Sequence, residues 1–239
     1  MAFDYKKEYK DLYQPKTMPA IVMVPAMRFV AVDGVGDSNE EGGDYAKAMQ
    51  LLYGISFTVK MSKKSKNPAE HIDGYFDYTV PPLEGLWSME KGVPGVDYTR
   101  KTDFYWTSMI RLPEFVTDEV FAWAKASFAS KHPEVDINRA YLFDFDEGVV
   151  AQVMHKGPYD DEPATVAILD DYSAPSKTGK PQNRHPSSGS EGGLTFSELL
   201  EALTGRTILA GFLRMRFSSR AASSAFFRTD QVIVAVFGL

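Results

Sequence analysis

The chain contains no cysteine, which excludes disulfide bonds, a thiolate nucleophile and cysteine-ligated metals. Its four histidines show none of the spacings that are typical of metal ligands. It also lacks an apolar run long enough to cross a bilayer, and its first residues are too charged for a signal peptide. We therefore expect a cytoplasmic protein that has no membrane partner and uses no metal or cofactor.

Positive charge is also scarce. The 26 lysines and arginines are outnumbered by 32 aspartates and glutamates, which gives a formal net charge of −6. An acidic protein has no general attraction for phosphate backbones, and the sequence shows no recognition-helix pattern. We expect no nucleic-acid partner and a mild preference for cationic over anionic small molecules. The sequence leaves the oligomeric state open.

Aromatic residues are plentiful, at 13% of the chain, and many of them stand next to acids. Residues 74–87 are GYFDYTVPPLEGLW, and residues 104–111 are FYWTSMIR. Rings around a carboxylate suit a flat, apolar molecule, and ring faces attract positive charge. The same residues would also suit the core of a sheet, since Phe and Tyr are ordinary core residues. The residues alone favour the core interpretation.

Several motifs resemble the GyrI-like small-molecule-binding family, and more narrowly its stand-alone members, which lack a DNA-binding domain. The resemblance extends over residues 1–172 and rests on four stretches in order: FDYKKEYKDLY (3–13), VPPLEGLW (80–87), WTSMIR (106–111) and MHKGPYDDEPAT (154–165). It implies an α+β fold in which two duplicated βαββ halves form one antiparallel sheet. One face of this sheet would carry the helices and the other a concave ligand groove.

The local patterns agree with a duplication. A strand, a glycine-containing turn and an acid-capped helix occur twice, at 28–53 and at 149–171. In the first copy, Gly54 predicts the end of the helix, and residues 55–61 predict a strand.

Further elements are predicted between the two copies. Residues 75–80 alternate like a strand that ends at the following prolines. Thr117 is a strong N-cap for a helix that extends to about Ser130. The turn at residues 146–148 predicts a hairpin between the strands that flank it.

The composition changes after Tyr172, and we divide the chain accordingly. Residues 1–172 form the small-molecule-binding domain, 173–193 a linker rich in Ser, Gly and Pro, and 194–239 an atypical tail. The resemblance implies further strands there with a clustered His, Glu and Tyr, and the tail lacks this cluster. Residues 207–217 and 231–239 would then be substitute strands or unrelated sequence, and we favour unrelated sequence.

The candidate ligand-binding residues are aromatic, acidic or flexible apolar side chains: Tyr53, Phe57, Asp77, Tyr78, Glu84, Trp87, Trp106 and Met109. Trp87 and Trp106 offer the largest faces for stacking. The resemblance, rather than the spacing, favours Glu84, whose carboxylate could pair with a cation or hold a proton. Each candidate has an ordinary alternative, as a core ring or a solvated acid. We assign no catalytic residue and expect His155 to be structural.

Two functions follow from the resemblance. The first is binding of amphipathic, aromatic and in some cases cationic molecules, as in multidrug-binding effector domains, for sensing, sequestration or detoxification. The second is hydrolysis of reactive cyclopropane-bearing toxins, which some stand-alone relatives are understood to perform with a pocket glutamate. The missing His, Glu and Tyr cluster weakens the second, and we leave open whether the protein is an enzyme.

Overall fold

A computed structural model describes residues 1–91, 96–157, 161–173, 213–217 and 231–237. The helices in this part of the chain are α1 (Tyr5–Glu8), α2 (Lys10–Tyr13), α3 (Asp44–Met61), α4 (Asp118–Lys131) and α5 (Glu162–Ser173). The strands are β1 (Ala20–Val24), β2 (Met27–Val35), β3 (Leu83–Ser88), β4 (Tyr105–Arg111), β5 (Tyr141–Phe145), β6 (Gly148–Lys156), β7 (Leu213–Phe217) and β8 (Gln231–Phe237).

The described strands form one antiparallel sheet with the order β1-β6-β8-β7-β3-β4-β2-β5. This order has an internal symmetry. The unit β2-α3-β3-β4 is repeated as β6-α5-β7-β8, and the two units meet where β3 pairs with β7. The fold is therefore α+β, with the duplicated βαββ halves that the resemblance implies.

Each half also contributes one strand to the other half. β1 precedes β2 in the chain but pairs with β6, whereas β5 precedes β6 but pairs with β2. The predicted hairpin at residues 146–148 is therefore wrong, because its two strands lie near opposite edges of the sheet. A tight turn can lead into a hairpin, but here β5 pairs with β2 and β6 pairs with β1, so each of the two strands has a partner in the other half.

The predicted helix end at Gly54 is also wrong, as is the strand predicted for residues 55–61. α3 continues through this glycine to Met61. A Cβ at position 54 would lie 2.2 Å from Cε2 of Phe128, so the missing side chain lets α3 and α4 pack closely. Tertiary packing thus overrides the weak preference of glycine for a helix end.

Residues 75–80 form no strand. Only an isolated bridge links Tyr78 with Phe3 in this segment, which runs across the end of the fold beside the N-terminus. The predicted cap of α4 is confirmed, since the Thr117 hydroxyl accepts a hydrogen bond from the amide of Val120 at 3.3 Å.

Buried side chains form a separate cluster on each face of the sheet. The helix-side cluster joins β2, β3 and β4 to α3 and α4, with Leu52 and Ile55 of α3 fully buried. We call the opposite side the groove face. Its cluster contains Tyr5, Leu12 and Tyr13 from the N-terminal helices, packed on Phe29 and Met109 of the sheet. The groove face is therefore partly covered by the start of the chain.

The C-terminal segment supplies β7 and β8, which lie inside the sheet between β6 and β3. This agrees with the alternative in which residues 207–217 and 231–239 provide strands. The predicted linker lies outside the described residues, and the division at residue 172 stays a prediction. Within the described part of the chain, no helix is long and apolar enough to cross a membrane.

Candidate functional site

The alternation of side chains along β3 and β4 separates the candidate residues into two groups. Glu84 pairs with Met109, and Trp87 pairs with Trp106. Successive side chains on a strand point to opposite faces, so residues three apart cannot share a face. Glu84 and Met109 accordingly lie on the groove face, and the two tryptophans lie under the helices.

Both tryptophans belong to the core. Trp87 is 1% exposed and Trp106 is fully buried. The ring of Tyr45 from α3 lies 5.6 Å from the Trp87 ring and 4.9 Å from the Trp106 ring. These contacts seal the indoles between sheet and helix. The structure therefore does not bring them to the face that carries Glu84.

Two further candidates lie on α3, away from the groove face. Tyr53 packs partly buried against the helix-side cluster, and burial raises the pKa of its phenol to about 12. The Phe57 side chain is 48% exposed, with its ring centroid 6.4 Å from that of Tyr53. The structure thus places this pair on the same side of the sheet as the tryptophans.

The neighbours Asp77 and Tyr78 have different surroundings. Asp77 is partly exposed and forms an ion pair of 2.5 Å with Lys63, whose hydrogen bond lowers the pKa of the carboxyl group. Tyr78 is buried in the groove-side cluster, and burial raises the pKa of its hydroxyl. Of this pair, only Tyr78 shares a cluster with Met109.

Glu84 is the acid of the groove face. Its side chain is fully buried, and Oε1 accepts a hydrogen bond of 3.2 Å from the hydroxyl of Tyr13. In the sheet, its Cα partners are Met109 on β4 and Arg216 on β7. A buried acid with a phenol donor can hold a polar group of a ligand or exchange a proton with it.

The N-terminal segment is fixed at both ends of this face. At one end, the Arg111 guanidinium lies 4.5 Å from the ring centroid of Tyr5 and 4.8 Å from that of Tyr9. Tyr5 donates to Oε2 of Glu114 at 2.8 Å, and Arg111 donates to Oε1 at 3.0 Å. At the other end, the amide of Met154 on β6 donates to the carbonyl of Lys16 at 3.0 Å.

A cavity of about 530 Å³ opens between this segment and β6. Its lining residues are Lys6, Tyr13, Gln14, Pro15, Lys16, Thr17, Met154 and Lys156. Tyr13 connects the cavity to the buried acid, because it lines the cavity and also donates to Glu84. The volume is within the range of small-molecule pockets.

The family of the chain follows from a sequence comparison. The profile of the family described as "GyrI-like small molecule binding domain" matches residues 17–181. The chain belongs to this GyrI-like family. No protein with curated annotation matches it significantly.

Solved structures agree with this assignment of a GyrI-like domain. An uncharacterised conserved protein from Listeria innocua is 35% identical, with a TM-score of 0.72, and the match covers 98% of each chain. A structure described as a hydrolase from Listeria innocua is 33% identical, with a TM-score of 0.73, covering 99% of this chain and 98% of the other. Another hydrolase from this organism is 33% identical, with a TM-score of 0.70 and 98% coverage of both chains.

Tyr13 is a residue of this GyrI-like domain's groove face that is not among the candidates predicted from the sequence. A signal was present, since Tyr5, Tyr9 and Tyr13 recur every four residues, which places them on one face of a helical segment. Two short helices carry these tyrosines onto the groove face. Met154 and Lys156 were missed because only the sheet order brings β6 opposite β1 and the N-terminal segment.

His155 lies on the other side of β6 from Met154 and Lys156. It is buried, and its Nδ1 is 2.7 Å from the hydroxyl of Thr165 on α5. Among the described residues, no group of His, Asp and Glu side chains is arranged to hold a metal ion. On the groove face, Glu84 and Tyr13 form a buried pair of an acid and a phenol.

Proposed function

We propose that this GyrI-like protein binds amphipathic aromatic small molecules in the cavity between its N-terminal segment and β6. The observation that carries the proposal is the position of Tyr13, which joins an open cavity to the buried carboxyl group of Glu84. The cavity combines polar side chains with the apolar surfaces of Pro15 and Met154, which suits a ligand that has both kinds of surface.

The lining of the cavity supports an amphipathic ligand. Met154, Pro15 and the ring of Tyr13 offer apolar contact, and methionine adapts to ligands of different shape. Behind the cavity wall, Glu84 and Tyr13 would suit a hydrogen-bond donor or a cationic group of a ligand that reaches past the Tyr13 ring. Sensing, sequestration or detoxification would each use such a site.

Titration of a neutral aromatic dye, N-phenyl-1-naphthylamine, tests the binding proposal. Tyr13→Ala should weaken binding by about 1–3 kcal/mol, the range for a large ring at a binding site. Phe57→Ala is the matched control, because it removes an exposed ring on the other side of the sheet and should leave binding unchanged. The reverse pattern would place the site among the helices and contradict the proposal.

A second function is hydrolysis, and two observations favour it. Glu84 combines burial with a phenol donor, and two structures that are 33% identical to the chain are described as hydrolases. In this version the substrate is a reactive cyclopropane-bearing compound, and the carboxylate of Glu84 accepts a proton from the attacking water. The water oxygen bonds to a cyclopropane carbon as one ring C–C bond breaks, and the electron pair of that bond passes to the electron-withdrawing part of the substrate, which then takes up the proton. The hydrogen bond from Tyr13 would hold the carboxylate in place.

Product formation separates the two functions. If the protein is a hydrolase, incubation with a cyclopropane-bearing substrate should give the ring-opened product, and Glu84→Gln should abolish turnover. The variant should still bind the dye, since the amide keeps the size of the acid. If the substrate binds but no product forms, hydrolysis is contradicted and the binding function is the one that is supported.

A further inference from the structure

The outer part of the cavity carries positive charge in an otherwise acidic protein. Three lysines line it, and no aspartate or glutamate occurs among its described lining residues. The whole chain, in contrast, has a net charge of −6. A local reversal of sign inside a cavity concentrates ligands of the opposite charge.

These lysines come from three separate parts of the chain. Lys6 belongs to α1, Lys16 to the segment between α2 and β1, and Lys156 to the end of β6. The hydrogen bond from the Met154 amide to the Lys16 carbonyl joins the second of these parts to the third. The fold therefore assembles the cationic side of the cavity from residues that are distant in sequence.

Some lysines elsewhere in the described chain have acidic partners. Lys63 pairs with Asp77, and Lys91 pairs with Asp33 at 3.6 Å. Within the described part of the chain, no ion pair involves Lys16 or Lys156. Their ammonium groups are thus available to a ligand.

We propose that the outer cavity is a subsite for an anionic group, a carboxylate, sulfonate or phosphate, on the aromatic ligand. This proposal rests on the proposed binding function and names the class of ligand. The lysines fix the orientation of the ligand, because Lys16 and Lys156 attract its anionic group at the outer end of the cavity. The apolar body of the ligand then lies against Met154 and Tyr13.

A pair of related dyes tests the subsite. 1-Anilinonaphthalene-8-sulfonate carries a sulfonate, and N-phenyl-1-naphthylamine is its neutral counterpart. The double variant Lys16→Gln/Lys156→Gln should raise the Kd of the sulfonate dye by about three- to thirtyfold, the range for two partly exposed ion pairs. The Kd of the neutral dye should change less than twofold. Added NaCl should weaken the binding of the sulfonate dye and leave the binding of the neutral dye unchanged.

The double variant Lys47→Gln/Lys131→Gln is the control, since both lysines are exposed on helices and the change in net charge is the same. An equal loss of affinity for the sulfonate dye in this control would show a general effect of net charge and overturn the subsite. An equal loss of affinity for both dyes in Lys16→Gln/Lys156→Gln would also overturn the subsite.

The two proposals fail in different ways. If the parent protein binds neither dye, the cavity is not a ligand site and both proposals are wrong. If the neutral dye binds in a manner that depends on Tyr13, but the sulfonate dye is insensitive to the lysines, only the anionic subsite is wrong.

Discussion

Glu84 and Trp87 lie three residues apart on β3, and this odd spacing gives them opposite roles. The acid faces the N-terminal segment and the cavity side, whereas the indole packs under α3. Both side chains are buried, so burial alone does not mark a ligand site. What distinguishes Glu84 is its polar contact with Tyr13, which also lines an open cavity.

Replacement of Trp87 tests its role in the core. Trp87→Ala should lower the free energy of unfolding by about 3–5 kcal/mol, because it leaves a large cavity between the sheet and Tyr45. Urea denaturation measures the loss. Variants that remain folded should bind N-phenyl-1-naphthylamine with parental affinity. A stable Trp87→Ala protein with impaired dye binding would show that the indole belongs to the ligand site and not only to the core.

The helix α3 shows how packing decides the length of an element. Alanine at position 54 gains about 0.5–1 kcal/mol in helix propensity over glycine. The added Cβ would lie 2.2 Å from the Phe128 ring, however, and overpacking costs about 1–3 kcal/mol. The cost of overpacking against Phe128 exceeds the gain in helix propensity. Glycine is therefore the better residue at position 54, although this position lies inside the helix.

Gly54→Ala should therefore destabilise the protein by about 1 kcal/mol in chemical denaturation, the difference between the middle values of these two effects. A double-mutant cycle isolates the cause. In a Phe128→Leu background the ring is gone, and Gly54→Ala should become neutral or stabilising. An equal cost in both backgrounds would show that the contact with Phe128 does not explain the glycine.

The first residue of α5 provides a pH-dependent test. Glu162 is fully buried and accepts a hydrogen bond of 3.0 Å from Tyr98. Burial raises the pKa of this carboxyl group from 4.5 to about 8. Between these two values the folded chain keeps the proton while the unfolded chain releases it. Its contribution to stability therefore decreases as the pH rises through this window.

Glu162→Gln removes the titration without removing the bulk of the side chain. We expect the variant to gain stability relative to the parent as the pH increases from 5 to 8, measured by urea denaturation at several pH values. Glu119→Gln in α4 serves as control, because a hydrogen bond with Thr117 lowers the pKa of that exposed acid and no such gain should appear. A pH-independent difference for Glu162→Gln would contradict the raised pKa.

The sequence predicted those features of the molecule that depend on local pattern. The duplication, the Thr117 cap and most strand positions were visible as periodicity and capping residues. The pairing of β5 with β2 and of β1 with β6 depends on contacts between the halves, which periodicity does not encode. The same limit applies to the site, since Tyr13 and Met154 are 141 positions apart in the chain but line one cavity.

The continuity of the whole sheet depends on its C-terminal strands. β8 pairs with β6 of its own half and with β7, and β7 pairs with β3 of the other half. Val234 is in the middle of β8, with Val153 and Met215 as Cα partners on either side. A proline there cannot donate to either neighbour and is poorly tolerated in a central strand.

Val234→Pro should consequently lower the free energy of unfolding by at least about 2 kcal/mol, the cost of unpaired backbone groups in a sheet. Hydrogen exchange should also speed up in β6 and β3, because the loss is transmitted to both neighbours of the β7–β8 pair. Val234→Ile keeps the amide donor and the β-branch, so it should behave like the parent. A proline variant with unchanged stability would mean that β7 and β8 are dispensable to the sheet, which is the outcome expected if the tail were unrelated sequence.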